Sequence, residues 1–119
     1  MNTIQRGKWG ETVALEYLKK KGYTLIASGF RSRFGEIDLI VKNREFTVFV
    51  EVKLRKNAAF AHAREYVGKQ KQRKITTTAN LWLASRKSKL QPRFDVIEVY
   101  APDGENTTNP EIIHIENAF

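Results

Sequence analysis

The sequence predicts an α/β fold in which a mixed sheet has a helix available for each face, formed as one domain over residues 1–119. Hydrophobic spacing switches between helical and alternating periods along the chain, giving the order helix, three strands, helix, strand. Two apolar runs, Gly35 to Val41 and Phe46 to Lys53, flank the polar tetrapeptide Lys42-Asn43-Arg44-Glu45, which reads as a hairpin turn. No linker or internal repeat interrupts the series.

Each element has its own signal. A helix over about Lys8 to Lys21 carries Val13, Ala14, Tyr17 and Leu18 at helical spacing, and Gly22 closes it. A strand follows near Tyr23 to Ala27, then the two strands of the hairpin. After a loop through Asn57 to Ala63, a long helix is expected from about Arg64 to Ser85, with Ile75, Ala79, Trp82 and Leu83 as its core stripe. Arg93 to Tyr100 reads as a strand, Asp103 to Pro110 as a polar turn, and Glu111 to Ile115 as a short edge strand. Trp9, Phe30, Trp82 and Phe94 are expected in packing roles.

The hairpin strands also carry chemistry. Asp38 and Glu51 are carboxylates in segments otherwise built for a core, and Lys53 lies two residues beyond Glu51. Charged groups are rarely buried unless paired or bound to a metal. Residues two apart share a strand face, so Thr47, Phe49, Glu51 and Lys53 point one way, and Glu36, Asp38 and Ile40 share a face opposite Ile37, Leu39 and Val41. In an antiparallel ladder, opposed residues have a constant number sum. An odd sum, from a loop of two or four residues, sets Asp38 beside Glu51 and Lys53, whereas an even sum separates them.

Two converging carboxylates repel unless a cation sits between them. Mg²⁺ or Mn²⁺ prefers oxygen ligands and retains waters, and Asp38, Glu51 and the carbonyl of Val52 could supply the protein's share. Lys53 would then orient or help deprotonate an attacking water and offset charge on a phosphorane-like transition state. The expected reaction is metal-assisted phosphodiester hydrolysis. A surface ion pair between Glu51 and Lys53, worth roughly 0–1 kcal/mol, is the structural alternative.

An acidic strand residue, a hairpin and then Glu51-Val52-Lys53 resemble the PD-(D/E)xK nuclease superfamily. More closely, the chain resembles the YraN-like family of bacterial proteins regarded as nucleases. The likeness is carried by Gly10-Glu11 before Ala14 and Tyr17-Leu18, by Gly35-Glu36-Ile37-Asp38-Leu39-Ile40, by Phe49 to Arg55, by Lys69-Gln70-Lys71 and by Arg93-Phe94-Asp95-Val96. It departs at Ala61-His62-Ala63, where a Gly-Ser-Pro-like turn is expected. The resemblance implies a restriction-endonuclease-like three-layer α/β/α fold with a central mixed sheet, and a relationship to archaeal Holliday-junction resolvases. It also implies that Gln70 accompanies the Glu-x-Lys strand, holding a water or a phosphate oxygen.

Composition agrees with an anionic partner. The net charge is +8 and the pI about 9.9, which favours a polyanion or an anionic surface. The chain has no cysteine, so disulfides, thiolate metal sites and cysteine nucleophiles are excluded, and His62 and His114 are too far apart in sequence to suggest structural zinc. The start lacks an apolar signal core and no stretch is long enough to span a membrane, so a cytoplasmic protein without a membrane partner is expected. No phosphate-cradling glycine loop or Ser/His/Asp elbow is present.

Glu11 precedes Ala14, Leu15 and Leu18 by three, four and seven positions, placing it on the core's rim, whereas Glu16 has Lys19 and Lys20 at the spacing of a solvated face. Glu11 is therefore either an extra metal or water ligand or a carboxylate complementing the helix dipole. Arg31, Arg33, Arg55 and Lys56 flank the carboxylate strands, and Lys69, Lys71 and Lys74 open the second helix. These bases would meet backbone phosphates, although a charge run is often only a solvated face. Apart from Phe34 and Phe60, aromatics do not interleave with them, which leans toward duplex or branched DNA. Asp95 is expected to pair with an arginine such as Arg55 or Arg31, and His114 to lie on the surface. Two functions stay open: a metal-dependent endonuclease on DNA, and a catalytically silent nucleic-acid-binding module. Symmetric cutting of two strands would require a homodimer.

Overall fold

The structure is a computed structural model in which residues 3–57 and 68–119 are described. The described elements run α1 (Thr3–Lys20), β1 (Thr24–Ser32), β2 (Gly35–Lys42), β3 (Phe46–Arg55), α2 (Lys69–Ala84), β4 (Gln91–Tyr100), a short 3₁₀ turn (Gly104–Asn106) and β5 (Glu111–Ile115). The strands form one five-stranded sheet in chain order. Only β3 and β4 are parallel, and α2 lies in the crossover between them that a parallel pair requires. The result is the expected α/β arrangement with a mixed sheet. The expected loop over Asn57 to Ala63 and the expected helix start at Arg64 fall largely outside the described residues, as do Phe60 and His62.

Alternation in the strands makes two cores. Val48, Val50, Leu39, Val41, Ile97 and Val99 are buried beneath Ala14 and Leu18 of α1. Ile40, Phe49 and Val96 are buried on the other face beneath Ile75, Ala79 and Trp82 of α2. α1 ends where Gly22, at φ 97°, turns the chain back, with Tyr23 N–H donating to Leu18 carbonyl at 3.0 Å. β1 extends five residues beyond the expected end at Ala27, pairing through Ser32 opposite Gly35. Gly29 lies inside β1 at φ 63°, and the register shifts between Leu25 and Ala27.

The hairpin between β2 and β3 has the odd-sum register, with Leu39 opposite Val50 and Lys42 opposite Thr47. Its loop has four residues between that last pair, one position later than the expected tetrapeptide. Asn43 Oδ1 closes it, accepting from the N–H groups of Glu45 and Phe46 at 2.9 and 2.8 Å. One expectation about faces is corrected. Ile37 packs with Ile40 and Phe49 under α2, whereas strict alternation would set it beside Leu39 and Val41. The β2–β3 ladder starts only at Leu39, so the leading end of β2 twists away with β1 and its alternation is no longer tied to β3.

Candidate active site

That divergence builds the site. Beyond Leu39 and Val50 the sheet forks: Gly35 to Asp38 continue with β1, and Glu51 to Arg55 continue with β4. Asp38 stands in the crotch. Val52 N–H, which has no β2 residue opposite it in the ladder, donates to Asp38 Oδ2 at 2.8 Å. A strand residue's N–H and carbonyl point to the same side, so the Val52 carbonyl faces the same opening.

Glu51 is buried beside it and carries two ammonium partners. Lys71 Nζ, from the first turn of α2, lies 2.6 Å from Glu51 Oε1, and Lys53 Nζ lies 3.4 Å from the same oxygen. Burial lowers the Lys53 pKa and outweighs the attraction of Glu51, with Lys71 adding like-charge repulsion. For Lys71, burial opposes the charged form, but the hydrogen bond and Coulomb attraction to Glu51 prevail and its pKa is raised. Asp38 is pushed up to about 7, by burial first and by the charge of Glu51 next, partly offset by the Val52 hydrogen bond. Glu11 is also raised, by burial and then by Glu36 and Glu51. Burial, together with the neighbouring Glu51, is what disfavours an ionised Asp38 here.

The fork opens into a cleft of about 720 Å³ whose walls include Lys8, Glu11, Thr12, Arg31, Glu36, Asp38, Glu51 and Lys71. Glu11 reaches it from α1, on the rim where helical spacing puts it. Gly10 of α1 lies over Leu54 and Val52 of β3, where an added Cβ would make ordinary contact at 3.7 Å.

The structure brings together Glu11, Asp38, Glu51, Lys53 and Lys71, with the Val52 backbone. Lys71, expected as a phosphate contact or a solvated residue, is instead a direct partner of Glu51. Gln70 is exposed in the first turn of α2 and is not on the cleft wall. Arg55 turns inward, at 7% exposure, to Glu98 Oε2 at 3.3 Å, so it does not stand among the surface bases. Arg31 is exposed and pairs with Glu36 at 3.1 Å. Arg33, Lys56, Lys69 and Lys74 are exposed.

Asp95 does not pair with Arg55 or Arg31. Its partner is Arg93, which shares its strand face and donates Nε and NH2 to its two carboxylate oxygens at 2.9 and 2.8 Å. His114 is not a surface residue either: its side chain is 4% exposed, with Nε2 2.7 Å from Asp95 and Nδ1 3.2 Å from Tyr17 Oη. The alternation rule contained the Arg93 pairing, since i and i+2 share a face.

Asp38, Glu51 and the Val52 carbonyl are an all-oxygen donor set suited to a hard divalent ion that keeps waters. Among the described residues, no three carboxylate or imidazole side chains converge as a ready-made metal cage. A cation here would have two carboxylates and would complete its shell with carbonyl, water and substrate oxygens. No helix among the described residues is long and apolar enough to cross a membrane.

Comparison with known proteins fixes the family. A relative from Caldanaerobacter subterraneus, named as a UPF0102 protein, is 45% identical over 114 residues, covering 95% of this chain and 93% of its own. One from Syntrophotalea carbinolica is 38% identical, covering 98% and 95%, and one from Clostridium botulinum is 41% identical, covering 95% and 92%. Their names state a family and no activity. The model of "Uncharacterised protein family UPF0102" matches residues 10–99, the span that holds every residue of the fork. The chain therefore belongs to the uncharacterised protein family UPF0102.

Proposed function

We propose that this protein is a metal-dependent endonuclease that hydrolyses phosphodiester bonds in DNA, including branched substrates, on a restriction-endonuclease-like three-layer fold. The observation that carries the reading is the meeting of Asp38 and Glu51 at the sheet fork, with Lys53 on Glu51 and the Asp38 pKa raised by burial and by the charge of Glu51. A fold gains nothing from repelling carboxylates unless a ligand relieves them.

Asp38, Glu51 and the Val52 carbonyl would hold Mg²⁺ or Mn²⁺, which when bound supplies Lewis acidity to a phosphate oxygen and to a water. Lys53, its pKa lowered, is suited to orient that water and, in its neutral form, to accept its proton. The water oxygen would join phosphorus as the P–O bond to the leaving alkoxide breaks, one water proton passing to Lys53 and from it to the alkoxide. Lys71, on the cleft wall beside Glu51, would face the phosphate charge that builds up there. Arg33, Lys56, Lys69 and Lys74 lie outside this set and would bind backbone phosphates, adding affinity and salt dependence with little sequence preference.

The double ammonium clamp on Glu51 favours a second reading, a silent nucleic-acid-binding module in which Glu51 is already satisfied. Purified protein incubated with duplex, single-stranded and four-way-junction DNA, with Mg²⁺, with Mn²⁺ and with chelator, separates the two. Metal-dependent cleavage that is lost in Lys53→Ala with DNA retention intact supports the enzyme. Retention without cleavage of any of these substrates supports the module.

A further inference from the structure

The hairpin tip joining β1 to β2 presents an aromatic ring to solvent. Phe34 is 41% exposed, and among the described residues it is the aromatic member of the exposed large apolar side chains, the others being Leu81, Ile113 and Ile115. A single exposed apolar residue is ordinary. Three further observations set this one apart.

The first is rigidity. Phe34 N–H donates to Ser32 Oγ at 3.1 Å, Ser32 Oγ is 2.8 Å from Thr78 Oγ1, and Thr78 in turn donates to Lys74 carbonyl at 2.8 Å. Gly35 sits against α2 so closely that a Cβ would stand 3.3 Å from Lys74 Cβ. The ring is thus held up by a tip bolted to a helix, and presenting it requires little ordering.

The second is charge. Arg33 lies over the Phe34 ring at 4.8 Å, and Arg31 and Lys74 flank the same tip. Arg31 is paired with Glu36, which leaves Arg33 and Lys74 beside the ring; an apolar protein partner would not be matched by these two cations, whereas a nucleobase between phosphates would.

The third is position. Arg31 and Glu36, on either side of the tip, line the cleft with Asp38. Phe34 is four residues from Asp38, about 13 Å at the rise of an extended strand.

We propose that Phe34 is a stacking platform for an unpaired nucleobase adjoining the cleft, with Arg33 and Lys74 on the neighbouring phosphates, so that the preferred substrate carries an unstacked nucleotide, as a single strand or branch point does. This rests on the nucleic-acid reading above and adds where the base goes.

The test uses oligonucleotides containing 2-aminopurine, as a single strand, as a duplex with one unpaired 2-aminopurine and as a fully paired duplex, bound in chelator so that turnover does not intervene. Wild type should quench the fluorophore in the first two. Phe34→Ala should bind these two about tenfold more weakly, lose the quench and bind paired duplex within about twofold of wild type. Phe34→Tyr should restore both readouts, and unchanged thermal unfolding of each variant shows that the fold is intact. A loss of affinity that is equal for paired and unpaired DNA, or no loss at all, would overturn the stacking role without overturning the nucleic-acid reading. Failure of wild type to bind any of the three would overturn this inference together with the nucleic-acid reading.

Discussion

Asp38, half-buried, and Asp95, fully buried, are aspartates on strands of one sheet, and their surroundings drive them in opposite directions. Asp95 is fully buried, yet it receives two hydrogen bonds from Arg93, one from Asn117 N–H at 3.0 Å and a 2.7 Å contact from His114. Arg93 is held in turn by Tyr23 Oη at 2.6 Å and by the face of Phe46 at 4.6 Å. Burial works to raise the Asp95 pKa, but His114, Arg93 and the Asn117 backbone together lower it. Asp38 receives one backbone N–H and faces Glu51 and Glu11, and its pKa rises to about 7. Burial is common to both, so the partners decide the sign. One cluster is closed and holds β4, β5 and α1 together; the other opens into a cleft, with Asp38 facing Glu51 and Glu11.

The largest expected effect lies in the closed cluster. Asp95→Ala strands a buried guanidinium and should lower unfolding free energy in denaturant by about 3–5 kcal/mol. A loss below about 1 kcal/mol would mean that the network is not what secures β5.

Asp38→Asn should do the opposite. A carboxyl whose folded pKa is raised stabilises the fold fully below its unfolded pKa, near 4, and that contribution is lost as pH rises through about 7. The cation-free protein should therefore lose stability between about pH 4 and pH 8 on account of Asp38, while Asp38→Asn, which keeps an acceptor for Val52, flattens that slope. At pH 8 the variant should equal or exceed wild type by about 1–2 kcal/mol. A variant destabilised at pH 8 by that much would show that Asp38 is structural, like Asp95.

Lys71→Ala tests the open cluster more finely. Lys71 is about half exposed at 49%, so its removal should change stability by no more than about 1 kcal/mol. Because Lys71 helps hold the Asp38 pKa down, carboxyl NMR should show Asp38 titrating at higher pH in the variant. No shift would place Lys71 outside the cluster's electrostatics. The smallest effect belongs to Arg31→Gln: its pair with Glu36 is solvent-exposed, and thermal unfolding should move by less than about 0.5 kcal/mol.

Local rules carried much of this into the sequence. The alternation around the hairpin contained the odd-sum pairing that brings Asp38 to Glu51, and the spacing of Ala14 and Leu18 contained the rim position of Glu11. The fork was not legible, because nothing local says where a ladder stops; Ile37 changes face on that account. Lys71 looked like one base in a charge run because its partner lies across the crossover, twenty residues away in Glu51. Arg55 looked like a phosphate contact because Glu98 joins it only through the parallel pairing of β3 with β4. His114 looked exposed because its burial depends on β5 meeting Tyr17 of α1. Contacts at long sequence separation account for each of these differences.

The central claim is that the Asp38 and Glu51 pair is relieved by a divalent cation. Calorimetric titration of Mg²⁺ and Mn²⁺ near pH 7, repeated in buffers of different ionisation enthalpy, tests it most directly. The account requires saturable binding that releases a fraction of a proton from Asp38 and that weakens at least tenfold in Asp38→Asn and in Glu51→Gln, both still folded. Affinity unchanged in both variants, or no binding by wild type at millimolar metal, would contradict it.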